Sequence, residues 1–167
     1  MNLYSLLPLL NGWSYEAKKR LYTLPIGGYQ KICEYSKPVF LLFWTLKLYG
    51  SLDSKYTAVK LEIEKTKPLI VDFMPYGVYS FGISQADNYT AWVGLWDDTN
   101  KVYTLVVTPS QPMVFREGVK LTLEAPTQPL EDPTTSSYKV HSGYGLILID
   151  NMEAFKRSLR EVLAKHP

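Results

Sequence analysis

The sequence lacks most of the features from which a function is usually inferred. Its one cysteine, Cys33, cannot form a disulfide within the chain, so a disulfide-stabilised domain is excluded and stability must come from packing. Basic and acidic residues nearly balance, at 18 and 16, which argues against nucleic acid and an anionic membrane as partners. The longest apolar run, 39–46, is far shorter than the roughly 20 residues of a membrane-spanning helix. We therefore expect a soluble protein that does not span a membrane.

Metal-binding and phosphate-binding motifs are missing as well. One cysteine and two histidines are too few for the usual zinc ligand sets. The acidic segment 97–100 lacks the glycine and the closing glutamate of a calcium loop, and it predicts a hairpin turn instead. The pair Gly27 and Gly28 lacks the lysine and the spacing of a phosphate-binding loop. We expect no cofactor and no metal.

The residue types that serve catalysis do not form a recognisable set. His141 and Ser142 are neighbours in a predicted strand, so their side chains point to opposite faces and cannot act on each other. Glu62 and Glu64 share a strand face with Lys60, which is typical of a solvated surface rather than of a pair of catalytic carboxylates. We predict that the protein is not an enzyme.

Short segments rich in aromatic and β-branched residues follow one another through the chain. The clearest alternates Val59, Leu61 and Ile63 with charged residues, which places one face in the core and one in water. Because no β-α-β alternation accompanies these segments, they predict an antiparallel β-sandwich of jelly-roll type. The predicted strands are residues 39–49, 56–64, 69–74, 78–83, 90–96, 101–108, 119–124 and 138–149.

One amphipathic helix is predicted near the C-terminus, over residues 150–165. Asp150 suits its N-cap position, and Glu153 completes a capping box. We expect the apolar stripe of this helix to pack against the domain. That stripe consists of Met152, Phe155, Leu159, Val162 and Leu163.

We predict that residues 1–37 form an N-terminal arm and that residues 38–167 form the β-sandwich domain with its helix. The leucine-rich start has helical spacing that Pro8 interrupts, and 25–28 has the composition of a turn or flexible joint. Leucines in such number are too apolar to remain in water, so the arm must cover its own subunit or a neighbour. We favour the neighbour, because element exchange is a low-cost route to oligomers. The residues predicted for this interface are Leu3, Leu6, Leu7, Leu10 and Trp13.

Aromatic residues are abundant, with 13 tyrosines and 4 tryptophans. Trp92 and Trp96 are four residues apart in a predicted strand, so they should share one face. Together with Tyr89 they would offer a stacking platform for a sugar. The alternative is that these rings pack in the core or between subunits, and their exposure separates the two interpretations.

Two stretches resemble the β-sandwich structural proteins of virus particles, such as capsid, decoration and tail proteins of phages and archaeal viruses. They are WVGLWDDTNKVYTLVVTP at 92–109 and FREGVKLTLE at 115–124. The resemblance extends over residues 39–149. It implies a protein that assembles through many copies of one interface, and it assigns no functional residue.

Two hypotheses about function follow. The first is a structural, self-assembling virion protein, acting as a capsid, decoration or tail component. Its partners are copies of itself and other virion proteins, which the loops at 109–112 and 125–137 would contact, and its location is the virion after assembly in the host cytoplasm. The second is a carbohydrate-binding β-sandwich module that uses Tyr89, Trp92 and Trp96.

Overall fold

Two antiparallel β-sheets pack against each other as a β-sandwich, with an α-helix near the C-terminus. The computed structural model describes residues 3–64, 66, 69–86, 89–109 and 114–165. The predicted fold class, an antiparallel β-sandwich with a C-terminal helix, is confirmed. No helix within these ranges is long and apolar enough to cross a membrane.

Strands account for most of the described residues. The strands are β1 (Trp13–Pro25), β2 (Tyr29–Tyr35), β3 (Val39–Tyr49), β4 (Ala58–Ile63), β5 (Leu69–Phe73), β6 (Ile83–Ala86), β7 (Tyr89–Asp97), β8 (Val102–Pro109), β9 (Val119–Glu124) and β10 (Ser137–Ile149). The α-helices are α1 (Leu3–Leu6), α2 (Pro75–Phe81) and α3 (Met152–Lys165), and two 3-10 helices span Leu7–Leu9 and Leu52–Tyr56.

The strand order places the first two strands at sheet edges. The six-stranded sheet has the order β1-β10-β3-β8-β7-β6, and the four-stranded sheet has the order β2-β9-β4-β5. The chain therefore crosses from one sheet to the other between β1 and β2. All thirteen residues of β1 pair with β10, so the start of the chain is fixed to its last strand.

The main core fills the space between the sheets, because alternate residues of each strand point inward. In β4, Val59, Leu61 and Ile63 are buried as predicted, and the charged residues between them are half exposed. Trp44 is fully buried, and its indole N–H donates to the hydroxyl oxygen of Ser142 at 3.0 Å. The polar N–H of this large buried ring therefore has its hydrogen-bond partner within the chain.

A second apolar core lies on the outer face of the six-stranded sheet. α1, the 3-10 helix that follows it and α3 pack together there, with Phe155 of α3 buried among them. The Gly12 carbonyl oxygen accepts main-chain N–H groups of Asp150 and Asn151, which holds the two ends together. Gly12 has φ +80°, and an added Cβ would meet the Asn151 carbonyl oxygen, so glycine is required. The buried members of this core are Leu6, Leu7, Leu10, Phe40, Ile147, Ile149 and Phe155.

The residues 1–37, predicted as an arm, are mostly part of the sandwich. β1 and β2 belong to the two sheets because their backbones pair with β10 and β9. The predicted joint is a bonded turn, in which the Gly28 N–H donates to the Pro25 carbonyl oxygen at 2.8 Å. Strand alternation is weak in β1 because it is an edge strand with mostly exposed side chains, so its sequence does not have the pattern of a half-buried strand.

The predicted strand at 78–83 is wrong over most of its length, because residues 75–81 form helix α2. Pro75 occupies the first turn, where a helix needs no N–H from it. Val78 is buried, whereas Tyr76 and Tyr79 are exposed on the other side. A short apolar run does not distinguish a strand from a single helical segment, and the proline decides here.

The cap of α3 also differs from the prediction. The side-chain oxygen of Asn151 accepts the Ala154 N–H at 3.0 Å, so Asn151, and not Asp150, is the capping residue. Asp150 instead accepts the Ser14 hydroxyl at 2.7 Å and forms an ion pair with Lys37 at 3.1 Å. These bonds fix the loop before the helix to β1 and to the segment before β3.

The second core generates a prediction about stability. Phe155→Ala removes a 5% exposed ring and should lower the free energy of unfolding by about 3–5 kcal/mol. Leu163→Ala is the matched control: Leu163, predicted to pack, is 51% exposed, and its removal should change that free energy by less than about 0.5 kcal/mol. Urea denaturation measures both, and equal effects would contradict this packing.

Candidate functional site

The outer face of the six-stranded sheet carries a shallow trough beside the second core. Two rows of paired residues cross this face through β1, β10, β3, β8 and β7. One row is Lys19, Gly143, Thr45, Val106 and Trp92. The other is Leu21, His141, Lys47, Thr104 and Leu95. The trough between them has a volume of about 330 Å³.

The floor of the trough is low because Gly143 has no side chain. A Cβ added at Gly143 would lie 3.3 Å from the Thr45 hydroxyl oxygen and 3.6 Å from Cγ of Lys19, so any larger residue would occupy this space. Large apolar side chains stand at the margins instead. They are Leu21, Trp92 and Leu95, which are 49%, 37% and 47% exposed.

The trough is positively charged. Lys19 and Lys47 line it, and neither has a carboxylate within ion-pair distance among the described residues. The Lys47 ammonium lies 5.3 Å from the centre of the Tyr49 ring. Thr45 and Thr104 add hydroxyl groups. This arrangement suits a ligand that carries both acidic groups and hydroxyls.

The three residues predicted as a stacking platform do not come together. Tyr89 is fully buried and packs on Phe115, with ring centres 5.8 Å apart. Trp92 lies on the outer face, but Trp96 is on the opposite side of β7. The reason is a bulge at Gly94, which shifts the pairing register with β8 by one residue and reverses the side chains that follow. Of the three, Trp92 alone lies on the face of the trough, where it pairs with the lining residue Val106.

The residues predicted for an interface with a neighbouring subunit are used within the chain. The indole N–H of Trp13 donates to the carbonyl oxygens of Leu7 and Leu10, at 2.9 and 3.0 Å. The buried leucines are Leu6, Leu7 and Leu10, each at most 6% exposed. Their apolar cover comes from α3 of the same chain. The side chain of Leu3 and the loop residues 110–112 lie outside the described residues.

A second polar site, which the sequence analysis missed, surrounds Lys55 at one end of the sandwich. Lys55 is 5% exposed, and its ammonium contacts Asp98 Oδ1 at 3.1 Å and Glu131 Oε2 at 2.7 Å. Trp96 stacks on the Tyr79 ring, with centres 4.1 Å apart. The rings within 6 Å of the ammonium are those of Tyr56, Trp96 and Tyr103.

The surroundings of Lys55 keep it charged. Burial lowers the pKa of Lys55, but the ion pairs with Glu131 and Asp98 raise it further, and the pKa ends above its usual range. A lysine acts as a nucleophile or a base when its pKa is lowered, so this one does not have that role. It joins a 3-10 helix, the β7–β8 turn and the loop before β10, and its function is structural.

Asp53 orders the same loop. Its carboxylate accepts the main-chain N–H groups of Leu130 and Glu131 at 2.7 Å each, and of Asp132 at 3.2 Å. Burial raises the pKa of Asp53, but these three bonds lower it more, and the pKa lies below its usual value. The surface loop predicted at 125–137 is therefore held by a buried anion.

A cleft of about 440 Å³ opens between the edge strands β1 and β2. At its floor the hydroxyl oxygens of Tyr35 and Tyr144 are hydrogen-bonded at 2.9 Å, beside the buried Cys33. β1 contributes Lys18, Lys19, Arg20 and Tyr22 to the lining, and β2 contributes Ile32, Cys33, Glu34 and Tyr35. The cleft therefore has a neutral floor and a cationic margin on its β1 side.

The titratable groups on the floor of the cleft are held in their neutral forms. Burial raises the pKa of Cys33 to about 12, so its sulfur is a thiol and not the nucleophilic thiolate. Burial likewise raises the pKa of Tyr35 to about 12. His141 is exposed and Ser142 is buried on the opposite face, as predicted. Within the described ranges no group of three or more His, Cys, Asp or Glu side chains is placed to hold a metal ion.

Sequence signals for these sites are weak. The segment 51–56 has the composition of a polar turn, and nothing in it indicates that Asp53 and Lys55 are buried. The trough and the cleft arise where strands distant in sequence become neighbours. The basic triplet Lys18-Lys19-Arg20 is a local feature of the sequence that lies at the cleft, but a short basic cluster does not by itself predict one.

Comparison with protein-family models and with curated proteins finds no match. Among solved structures, the chain is similar to one described as "Crystal Structure of FLHE", with 12% sequence identity and a TM-score of 0.34. The similarity covers 83% of this chain and 96% of that chain. A likeness at this TM-score supports no statement about function.

The buried carboxylate of Asp53 generates a prediction about pH. Hydrogen bonds to a charged group contribute roughly 1.5–3 kcal/mol each, so Asp53→Ala should lower the free energy of unfolding by at least about 2 kcal/mol at neutral pH. Because the pKa of Asp53 is lowered by folding, this stabilisation is present above the unfolded-state pKa of about 3.9 and is lost as pH falls through the folded-state value. The difference between wild type and variant should therefore shrink in acid.

Urea denaturation at a series of pH values measures this difference. Glu161→Gln is the control, because Glu161 is exposed on α3 and its loss should have no comparable effect. A difference between wild type and Asp53→Ala that is absent at neutral pH would refute the structural role of this carboxylate.

Proposed function

We propose that this protein is a non-catalytic binding module that takes an acidic glycan along the trough of the six-stranded sheet. The proposal is supported by one combination of groups on a single surface. Lys19 and Lys47 have no carboxylate partner among the described residues, and Thr45 and Thr104 line the same trough. Trp92, which pairs with Val106 of the trough lining, is partly exposed on the same face.

Each part of the trough matches a part of such a ligand. Sugar carboxylates pair with Lys19 and Lys47, sugar hydroxyls exchange hydrogen bonds with Thr45 and Thr104, and an apolar ring face packs on Trp92. The two residue rows cross five strands, so the surface is extended and suits a chain better than a small molecule. The proposal keeps the carbohydrate-binding hypothesis but places the ligand in the trough instead of on a platform of Tyr89, Trp92 and Trp96.

Polygalacturonate is the test ligand, and neutral dextran is its control. We expect isothermal titration calorimetry to show binding of polygalacturonate and none of dextran. Lys47→Gln and Trp92→Ala should each weaken binding by about tenfold, since charge-assisted contacts and aromatic packing each contribute about 1–2 kcal/mol. Lys156→Gln, an exposed lysine of α3, removes the same charge and should leave binding unchanged.

Two outcomes would refute the glycan proposal. One is the absence of heat with polygalacturonate under low-salt conditions, where electrostatic attraction is strongest. The other is an equal loss of binding in Lys47→Gln and Lys156→Gln, which would show that net charge rather than the trough is responsible.

Self-assembly, as in a virion structural protein, is the second candidate function. The interface residues predicted in the arm are used within the chain instead, because Leu6, Leu7 and Leu10 are buried under α3. The observation in its favour is the presence of Leu21 and Leu95 on one outer face, both about half exposed. Exposed apolar surface of this kind is typical of protein–protein contacts.

Sedimentation equilibrium tests this second candidate. If the face associates with a copy of itself, the wild type should be an oligomer that Leu21→Lys dissociates. Leu163→Lys places the same charge at another exposed leucine, on α3, and should leave the oligomer intact. A wild-type monomer at all attainable concentrations would refute it.

A further inference from the structure

The edge strand β1 has no hydrogen-bonded neighbour on one side. Among the described residues β1 pairs with β10 alone, and no main-chain bond from a turn or loop reaches its central residues, 14–24. An edge strand presents a row of N–H and C=O groups that another extended chain can bond. With thirteen residues, β1 is also long compared with a typical strand of about 5–6 residues.

Charge at the middle of this edge argues against pairing with a second copy. Lys18, Lys19 and Arg20 are consecutive in β1 and mostly exposed. Two copies that paired antiparallel about this point would bring their triplets together, and natural proteins use lysines on edge strands to prevent such contacts. The same triplet attracts an acidic strand.

Part of this positive charge is available to a partner. Lys18 is already paired with Glu16 at 2.9 Å. Arg20 stands over the Tyr22 ring, 5.4 Å from its centre, and has no carboxylate within ion-pair distance among the described residues. Lys19 is likewise without an acidic partner there, and it points to the opposite face of the sheet. A strand added at this edge would thus have Lys19 on its outer face and Arg20 on the face of the cleft.

The cleft beside β1 provides room for side chains of an added strand. Successive residues of a strand point to opposite faces, so every second side chain of the added strand would point toward the four-stranded sheet. That direction leads into the cleft of about 440 Å³, whose floor is formed by Tyr35, Tyr144 and Cys33. These groups are neutral at physiological pH, because burial raises the pKa of Tyr35 and of Cys33 to about 12.

We propose that β1 is a docking strand, which accepts an extended acidic segment of another protein by strand addition, with alternate uncharged side chains of that segment entering the cleft. Main-chain hydrogen bonds along β1 supply affinity, and selectivity comes from the cleft and from pairing of Lys19 with the acidic side chains on the outer face. This surface is distinct from the trough, although Lys19 borders both.

A synthetic peptide with alternating glutamate and valine, blocked at both ends, is the probe. We expect it to bind in calorimetry and to protect main-chain amides of β1 from hydrogen exchange. The same peptide N-methylated at alternate residues along its pairing edge keeps its charge but cannot form the strand bonds, and it should not bind. A peptide of alternating lysine and valine should not bind either.

Protein variants locate the site. Lys19→Glu reverses the charge on the outer face of β1, where the glutamate side chains of the peptide would lie, and should weaken binding by about tenfold or more, in the range of close charge pairs at interfaces. Lys156→Glu makes the same change of net charge on α3 and is the matched control. Circular dichroism of both variants tests whether the fold is retained. The β1 amides that bond to β10 should stay protected from hydrogen exchange in both variants, which shows that β1 keeps its place in the sheet.

Several results would overturn strand addition. Equal binding of the N-methylated peptide would show attraction by charge alone, and equal binding of the lysine peptide would exclude charge selection. Binding that Lys19→Glu leaves unchanged, no binding of the glutamate peptide, or protection confined to residues of the trough would also refute it. Polygalacturonate binding that is lost in Trp92→Ala while peptide binding persists would separate this site from the trough.

Discussion

The pairing of β1 with β10 is the constraint on which the remaining structure depends. It bonds the first long strand to the last one and brings the segment before β1 against α3. Because that segment and α3 then cover one end of the outer sheet face, the rest of the face stays open as the trough. Because β1 becomes an edge, its far side and the cleft beside it are open as well.

The sites differ in whether their charged groups have partners within the chain. The charges of Lys55 and Asp53 are paired within the chain, so these groups stabilise a loop. A ligand would have to compete with the partners that they already have. The trough and the edge of β1 have cations without such partners in the described residues. We therefore propose binding functions for the surfaces whose cations have no partner within the described part of the chain.

Local patterns in the sequence predicted most of the sandwich and little of its surface. Alternation identified β4, and the aromatic run predicted β3 with the bounds that the structure shows. Alternation failed in β7, because the bulge at Gly94 reverses every side chain after it and separates Trp92 from Trp96. Of the leucines before β1, Leu6, Leu7 and Leu10 are buried as expected, whereas Leu9 is exposed. Their partner is α3, and a contact between distant segments of a chain has no local signature.

The distance along the chain between β1 and its partner has a consequence for synthesis. Trp13 pairs with Ile149 and Pro25 with Ser137, so β1 leaves the ribosome long before β10 exists. At roughly 5–20 residues per second, the wait is on the order of ten seconds. During this time β1 has no partner strand on either edge. The leucines before β1 are exposed as well, because α3 has not yet been made. We therefore expect the basic triplet to keep β1 from pairing with β1 of a neighbouring nascent chain, because like charges on two such strands repel each other.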